Sequence, residues 1–449
     1  MLLRRVVDDL RAWQQRDDRK PLVLRGARQV GKTTAVDLFG AEFRQYVSLN
    51  LDHPGDREIF DRELPLARTL EAIFFLKNAD PSEASTLLFL DEIQNSPHAV
   101  QLLRYFAEER ADLPVIAAGS LLEVALDRYR ASFPVGRVEF LYVYPLTFAE
   151  YAAAAPDRLQ DAMAAVPCPD YAVAPLRRLF RDYVLVGGMP EIAASYLRHR
   201  DLGRLTRLYE GLLVSYADDA AKYARGATQL GHLRHVIESA PLQAGERISF
   251  QGFGGSNFRS REMADALRTL ERAMLLFLVY PTTAVQPPAL PDLRKSPRLL
   301  YVDTGLVNYR AGLQTGFLSA NDLGALYRGR LAEHVVGQEM IAADLRTNAK
   351  PCFWVRQKPG STAEVDYLHR YRDRLVPVEV KSGRSGTLRS LHQFMQRADH
   401  DIAVRLWDGD IDLHVAKTPE GRRFRLLNLP FFLAHQLDAY LDWADREGY

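Results

Sequence analysis

The sequence predicts an α/β protein whose core is a parallel β-sheet covered by helices on both faces. Five short apolar runs recur in the first third of the chain, and each is followed by a polar segment with helical periodicity. Strands that alternate with helices in this way form parallel sheets that are buried on both faces. A glycine-rich segment directly after the first run supports the same class. The predicted strands span residues 21–24, 46–51, 87–90, 114–118 and 138–143.

The length of the chain predicts several domains. Its 449 residues are roughly two to four times an ordinary domain, so we expect more than one hydrophobic core. A composition of 47% apolar and 26% charged residues is typical of globular proteins and argues against disorder. We expect a nucleotide-binding core at 1–146, a helical lid at 147–226, a third unit at 227–320 and a last unit at 321–449.

Charge and cysteine content exclude several classes. The chain has 58 Lys and Arg residues and 57 Asp and Glu residues, which give a net charge of +1. This balance excludes a protein that binds nucleic acid through its overall positive charge, but it does not exclude a local basic patch. Two distant cysteines exclude a disulfide scaffold or a zinc module. The acids Asp8 and Asp9 exclude a signal peptide, and the longest apolar runs are too short to span a membrane. We expect a cytoplasmic protein without a membrane partner.

A phosphate-binding loop follows the first predicted strand and opens a helix. Glycines let successive backbone N–H groups turn toward a phosphate at the positive end of that helix. Lys32 can reach the β- and γ-phosphates of ATP, and Thr33 can bind Mg²⁺. The alternative, a chance match in a glycine turn, does not explain the flanking strand and helix. The segment, which matches the pattern GxxxxGK[ST] and continues into Thr34, is Gly26, Ala27, Arg28, Gln29, Val30, Gly31, Lys32 and Thr33.

A second acidic element follows in the order that ATP hydrolysis requires. Residues 86–90 form an apolar strand that ends in Asp91 and Glu92. Asp91 would hold Mg²⁺ through water, and Glu92 would orient and deprotonate the attacking water. The alternative is a solvated strand end. The next strand ends in Gly119 and Ser120, where a polar side chain could sense the γ-phosphate.

These motifs resemble those of the AAA-type ATPases of bacteria and archaea. More narrowly, the chain is similar to the prokaryotic branch that carries a C-terminal nuclease-like domain. The matching segments occur in the same order as in that branch and extend over almost the whole chain. They are residues 24–34, 90–94, 119–120, 136–137, 145–150, 187–190 and 301–306.

The resemblance implies further roles. Ser120 would be the sensor after the fourth strand, and Gly188 and Pro190 would pack near the adenine. Arg137 would be an arginine finger donated to a neighbouring subunit of a homo-oligomer, most simply a hexameric ring. The alternative for Arg137 is an ordinary arginine at the start of a strand, and the alternative for Gly188 and Pro190 is a glycine turn before a helix. Arg128 and Arg130 lie close to Arg137 and are also candidates for the arginine finger.

The third unit has the element order of a winged helix-turn-helix. A helix from residue 260 leads into a strand at 276–280, a proline-rich loop at 285–297 and a second strand at 299–302. Three arginines share one face of the proposed recognition helix, and three more cations lie on the loop. A solvated basic face is the alternative. The proposed DNA contacts are Arg261, Arg268, Arg272, Arg294, Lys295 and Arg298.

The last unit has the order αβββαβ and an acidic pattern. Glu379 and Lys381 alternate onto one face of a strand, so a neighbouring Asp366 can share a metal with Glu379. The unit resembles the PD-(D/E)xK nuclease superfamily, which implies that these three residues form the nuclease-like set together with Glu333. A surface charge pair is the alternative. Such domains either cleave DNA or only bind it. The basic run 369–374, which lies between the two halves of the acidic pattern, favours binding without cleavage.

Together these patterns predict an oligomeric, ATP-hydrolysing motor that remodels or translocates DNA, especially branched or forked DNA. Two alternatives stay open. One is an ATP-gated, Mg²⁺-dependent nuclease. The other is a nucleotide-switched signalling scaffold that uses the third unit to contact proteins.

Overall fold

A computed structural model describes residues 2–119, 134, 136–314, 329–357, 362–381 and 388–447. The first part is a five-stranded sheet flanked by helices. Its strands are β1 (Leu22–Arg25), β2 (Gln45–Asn50), β3 (Thr86–Asp91), β4 (Val115–Gly119) and β5 (Glu139–Tyr142). Its helices are α1 (Arg5–Gln14), α2 (Lys32–Gly40), α3 (Pro54–Asp61), α4 (Leu66–Leu76) and α5 (Pro97–Glu109).

The first sheet confirms the predicted parallel core. Its strand order is β2-β3-β4-β1-β5, and all four pairings are parallel. β3 and β4 are buried along their whole length, which explains why the sequence shows them as unbroken apolar runs. The carboxyl ends of β1 and β3 therefore lie at the same edge of the sheet, where β1 leads into the glycine-rich loop and β3 ends in Asp91.

Helices follow the sheet. They are α6 (Phe148–Ala152), α7 (Asp157–Ala164), α8 (Asp170–Val186), α9 (Pro190–His199) and α10 (Leu205–Tyr223). α6 begins with a capping box in which Thr147 and Glu150 bond to each other's backbone N–H. α8 ends at Gly187, whose φ of +75° is the left-handed conformation that favours glycine. The predicted helical character of this region is confirmed.

The third part combines helices with a two-stranded antiparallel sheet. The elements are α11 (Ala227–Ser239), a 3₁₀ turn (Phe253–Gly255), α12 (Ser260–Arg272), β6 (Leu276–Val279), β7 (Pro281–Thr282), β8 (Arg298–Tyr301) and α13 (Thr304–Arg310). β6 pairs with β8, and Arg247 forms an isolated bridge with Arg298. β7 leaves this sheet and pairs with a strand of the last part.

The last part is built on a seven-stranded mixed sheet. Its helices are α14 (Arg330–Ile341), α15 (Arg389–Met395) and α16 (Leu437–Glu447). Its strands are β9 (Cys352–Val355), β10 (Glu364–Tyr371), β11 (Arg374–Lys381), β12 (Ile402–Trp407), β13 (Asp412–Lys417) and β14 (Arg423–Pro430). The order is β13-β14-β12-β11-β10-β9-β7. The antiparallel hairpin β13–β14 and the added β7 are absent from the sequence-based prediction.

Hydrophobic packing crosses the predicted domain boundaries. The described residues form three buried clusters, and the largest runs from Val6 in α1 to Ala444 in α16. Backbone bonds reinforce this packing, since the amide of Tyr142 in β5 donates to the carbonyl of Leu345 at 2.7 Å. The last part is therefore packed directly on the first sheet. No helix within the described ranges is long and apolar enough to cross a membrane.

Candidate functional site

The glycine-rich loop between β1 and α2 has the backbone that its sequence requires. A Cβ on Gly26 would lie 2.3 Å from the carbonyl oxygen of Val143, so no other residue fits there. Gly31 adopts a φ of +88° directly before α2. The loop therefore delivers the chain to the N-terminus of α2, where unpaired backbone N–H groups and the helix dipole favour an anion.

Lys32 is the buried cation of this loop. Its side chain is 6% exposed, and Nζ donates to the carbonyl oxygens of Gly26 and Ala27 at 2.9 Å each. Burial lowers the pKa of Lys32 to about 8, and the nearby carboxylates of Glu92 and Asp91 oppose that fall. The ammonium group is thus held at the loop by neutral acceptors and lies close to two acids.

Thr33 and Asp91 meet across the sheet edge. Thr33 Oγ1 donates to Asp91 Oδ2 at 2.7 Å, and the backbone N–H of Glu92 donates to Asp91 Oδ1 at 2.9 Å. Burial raises the pKa of the Asp91 carboxyl, which the hydrogen bond from Thr33 opposes. A hydroxyl and a carboxylate are hard oxygen ligands of the kind that Mg²⁺ prefers. The donor set fits a magnesium ion.

Glu92 lies beside this pair in a left-handed backbone conformation. Its φ is +50°, which costs a non-glycine residue about 1–2 kcal/mol and is typical of functional sites. Gln94 Nε2 donates to Glu92 Oε2. Gln94 belongs to a motif that the sequence analysis recognised, but its role as the partner of Glu92 was missed.

Helix α10, in the predicted lid, contacts the glycine-rich loop at Arg28. Arg28 Nη1 donates to both carboxylate oxygens of Asp219 in α10 at 2.8 Å each, and Lys222 Nζ lies 3.1 Å from the same carboxylate. Tyr216 OH donates to the carbonyl oxygen of Arg28 at 3.2 Å. Sequence analysis missed Asp219 and Tyr216, because no local pattern marks an acid 191 residues away from its partner.

Arg4 supports the loop from the N-terminus. Its Nη1 donates to the carbonyl oxygen of Val30 at 2.6 Å, and its Nη2 donates to that of Tyr144 at 2.8 Å. Its Nε pairs with Glu150 at 3.0 Å, and both side chains are buried. Removing one partner of a buried ion pair costs about 3–5 kcal/mol of stability, because the other charge is left buried and unpaired. Arg4 and Glu150 therefore fix the loop to α6, a role that the sequence did not indicate.

Pro190 lies beside the glycine-rich loop, and Gly188 lies against Leu146 and Asp303. A Cβ on Gly31 would lie 3.6 Å from Pro190 Cγ, and a Cβ on Gly188 would lie 2.1 Å from the carbonyl oxygen of Leu146. The backbone N–H of Gly188 donates to Asp303 Oδ2 at 2.6 Å. Asp303 is fully buried, and burial raises its pKa to about 6. Asp303 belongs to the segment 301–306 that the sequence analysis recognised, but its contact with Gly188, which joins the third part to the edge of the nucleotide site, was missed.

One predicted residue lies away from the nucleotide site of its own chain, and three others lie outside the described residues. Arg137 lies before β5 and pairs with Glu108 at 3.0 Å. Because β5 runs parallel to β1, Arg137 is at the end of the sheet opposite to the glycine-rich loop of its own chain. Ser120, Arg128 and Arg130 lie outside the described residues.

The nuclease-like residues of the last part do come together. Lys381 Nζ lies 2.6 Å from Glu379 Oε1, and the backbone N–H of Val380 donates to Asp366 Oδ2 at 2.8 Å. Glu333 reaches the same cluster from α14. Within the described ranges, however, no three His, Cys, Asp or Glu side chains are arranged to hold a metal ion.

A basic residue occupies the centre of this cluster. The expectation that Arg298 lies on the loop is wrong, since it begins β8 and is 3% exposed. Its guanidinium pairs with Glu333 at 3.1 Å, Glu364 at 2.6 Å and Asp366 at 3.5 Å. Its partners belong to the last part of the chain, which no local sequence pattern reveals.

The predicted DNA contacts fall into three groups. Arg261, Arg268 and Arg272 are exposed on α12, as expected. Arg294 and Lys295 are also exposed, although Arg294 pairs with Asp292 at 2.9 Å. The run 369–374 is largely neutralised, because acids of α16 face it. Its pairs are His369 with Asp438, Arg372 with Asp442, and Arg374 with Asp445.

Family models match three stretches of the chain. Residues 18–152 match the model described as AAA domain, in agreement with the glycine-rich loop and the strand order given above. This part is therefore an AAA-type P-loop ATPase domain, the ATP-binding class that the motifs predicted. Residues 177–316 and 328–425 match models described as domains of unknown function, DUF8612 and DUF4143 respectively.

Comparison with individual proteins is less informative. No curated protein matches the chain. Among solved structures, the Walker-type ATPase of Pyrococcus abyssi is 15% identical, with 69% of this chain and 96% of that one covered and a TM-score of 0.44. AMPPCP-bound DnaA from Aquifex aeolicus is 11% identical (59% and 86% covered, TM-score 0.23). The Aeropyrum pernix ORC1 protein in complex with DNA is 14% identical (70% and 92% covered, TM-score 0.25).

Proposed function

We propose that the protein is an oligomeric motor that hydrolyses ATP and uses the energy to remodel or translocate DNA. The observation that carries the proposal is the meeting of Lys32, Thr33 and Asp91 at one sheet edge, with Thr33 Oγ1 bonded to Asp91 Oδ2 at 2.7 Å. Glu92 is adjacent to them and supplies the base that hydrolysis needs.

The residues of the site have distinct tasks in this reaction. Thr33 and Asp91 would hold Mg²⁺, which neutralises phosphate charge when it is bound. Lys32 now bonds to two neutral carbonyls, and a phosphate is the stronger acceptor because it is charged. Glu92 can accept a proton from water once the amide of Gln94 releases it. Gln94 would thereby keep the base inactive until the nucleotide is bound.

The third part is proposed to be a winged helix that binds DNA through α12. The order α11, 3₁₀ turn, α12, β6, β8, together with the bridge of Arg247, follows the order of that fold. Arg261, Arg268 and Arg272 are spaced seven and four residues apart, which keeps them on one helical face. Arginines suit phosphate oxygens because their planar donors bind them in pairs. Arg294 and Lys295 would extend this contact along the loop.

A ring of identical subunits, most simply a hexamer, is proposed from the position of Arg137. An arginine at the end of the sheet away from its own nucleotide site can act only on another chain. In a ring, Arg137 of one subunit would complete the site of the next and stabilise the transferred phosphoryl group. Glu108, its present partner, would have to release it.

An ATPase assay with linear, forked and four-way DNA tests the DNA part of this proposal. The variant with Arg261, Arg268 and Arg272 all changed to Ala should keep basal turnover and lose DNA stimulation. Its affinity for DNA should depend less steeply on salt, by about one unit of slope for each lost phosphate contact. A matched variant changes the exposed Arg62, Arg68 and Arg104 to Ala and should retain full stimulation.

The outcomes separate the competing functions. Strand displacement without shortening of the DNA supports the motor, whereas ATP-dependent shortening supports the nuclease. If DNA neither binds nor stimulates turnover, the proposal fails and a nucleotide-switched scaffold becomes the better account.

A further inference from the structure

Arg298 is a buried cation inside the acidic cluster of the last part. Its Nη1 lies 3.1 Å from Glu333 Oε2, and its Nη2 lies 2.6 Å from Glu364 Oε1 and 3.5 Å from Asp366 Oδ1. Nη1 also donates to the backbone carbonyl of Asp366 at 3.0 Å. One guanidinium from β8 thus satisfies carboxylates from two elements, α14 and β10.

Aromatic rings hold this guanidinium in place. It lies 5.3 Å from the ring centre of Phe353 and 5.5 Å from that of Tyr367, and both rings are fully buried. Arg247 stacks on Phe353 as well, at 5.1 Å, and pairs with Glu364 Oε2 at 3.1 Å. Leaving the cluster would cost Arg298, which is 3% exposed, its three ion pairs and both cation–π contacts.

The divalent ion that the nuclease resemblance implies does not fit this arrangement. Asp366 uses Oδ2 to accept from Val380 and directs Oδ1 at Arg298, while Glu379 Oε1 faces Lys381. Glu379 Oε2 is buried without a hydrogen-bond partner in the described part of the chain. Mg²⁺ is usually held by one or two carboxylates and several waters. Here Glu333 and Asp366 already face the guanidinium of Arg298, and Glu379 faces Lys381, so a metal ion would have to displace a cation to reach them. A second cation there would also be repelled.

We propose that Arg298 permanently replaces the divalent cation of a nuclease-like site, so that the acidic cluster fastens the third part to the last part and does not cleave DNA. The pairing of β7 with β9 supports this role, because it joins the same two parts through the backbone. Side chains of Ala284, Val285 and Ala289 also pack on the core beneath β9 and β10. The two parts then move as one block, whether or not α12 binds DNA.

The first test uses the full chain with its own Arg298. Bound Mn²⁺ is counted by electron paramagnetic resonance without nucleotide, in an Asp91→Asn background that removes the metal ligand of the ATPase site. Cleavage of supercoiled DNA is measured on the unaltered chain with Mg²⁺ or Mn²⁺, with and without ATP. We expect neither cleavage nor any bound Mn²⁺ that depends on Asp366. Either Mn²⁺ binding or cleavage that Asp366→Asn abolishes would overturn the proposal.

The second test removes the internal cation. Arg298→Met in the same background should acquire about one Mn²⁺ per chain, because the freed carboxylates then face each other. Adding Asp366→Asn should remove that ion again. Arg247→Met is the matched control, since it loses contacts to Glu364 and Phe353 but leaves Arg298 in place, and it should bind no Mn²⁺.

A folded Arg298→Met chain, verified by circular dichroism, that still binds no Mn²⁺ contradicts the proposal. If the variant does not fold, the measurements on the chain that keeps Arg298 decide the question.

Discussion

Glu339 in α14 is a buried acid whose replacement by glutamine should stabilise the protein at neutral and higher pH. It is 1% exposed, and its Oε1 accepts from Tyr183 OH at 2.6 Å and from the backbone N–H of Phe148 at 3.0 Å. Its Oε2 is buried without a hydrogen-bond partner among the described residues. Glutamine keeps the accepting oxygen and carries no charge into this environment.

The size of the effect follows from the pKa. Burial raises the pKa of Glu339 from 4.5 to about 7, with Glu150 adding to the rise, and Tyr183, the backbone N–H of Phe148 and Arg5 opposing it. At about 1.4 kcal/mol per pKa unit, the ionised form is disfavoured in the folded state by about 3 kcal/mol. A raised folded pKa gives stability that is fully present below pH 4.5 and is lost as pH rises through about 7. Glu339→Gln should remove that loss.

The assay is denaturant unfolding of both chains between pH 4.5 and 8. The free energy of unfolding of Glu339→Gln relative to the unaltered chain should rise by about 3 kcal/mol across this range. Glu71→Gln, which changes an exposed carboxylate of α4, is the control and should show no such rise. A constant difference between the Glu339→Gln and unaltered chains over the whole range would refute the reasoning.

Two further predictions concern the nucleotide site. Lys32→Ala should abolish tight ATP binding, because it removes the phosphate cation; titration calorimetry measures this, and unchanged affinity would contradict the assignment. Arg137→Ala should bind ATP normally and lose hydrolysis. Mixing it with Glu92→Gln chains should restore part of the activity, since some mixed interfaces regain both an intact finger and an intact base. A strictly monomeric protein with full turnover would rule this out.

The parts of the fold that sequence predicted are those with local signals. Strands β1, β3 and β4 of the first sheet are fully or largely buried and therefore appear as short apolar runs. The glycine-rich loop is recognisable within eight residues, Gly26 to Thr33, because its phosphate-binding pattern is local. The helices after residue 147 show their own periodicity. In each case the sequence pattern that predicts the element lies within the residues that form it.

The parts that sequence missed depend on partners far along the chain. Arg298 stands next to exposed loop residues in sequence, yet its acids lie 35 to 68 residues later in the last part. β7 has two residues and becomes a strand only because β9 pairs with it. The hairpin β13–β14 was missed because β13 is half-exposed throughout and has no apolar run. The contact of Asp303 with the nucleotide site likewise depends on Gly188, which lies 115 residues earlier in the chain.

The central claim is that Glu92 is the base of an ATPase site formed by Lys32, Thr33 and Asp91. Glu92→Gln tests it most directly, with ATP affinity and ATP turnover measured on the same preparation and Glu109→Gln, an exposed acid of α5, as the control. We predict unchanged ATP affinity and a loss of turnover of roughly 10²- to 10⁴-fold, because the variant keeps the proposed metal ligands and loses only the proton acceptor. Near-normal turnover by Glu92→Gln would contradict the account.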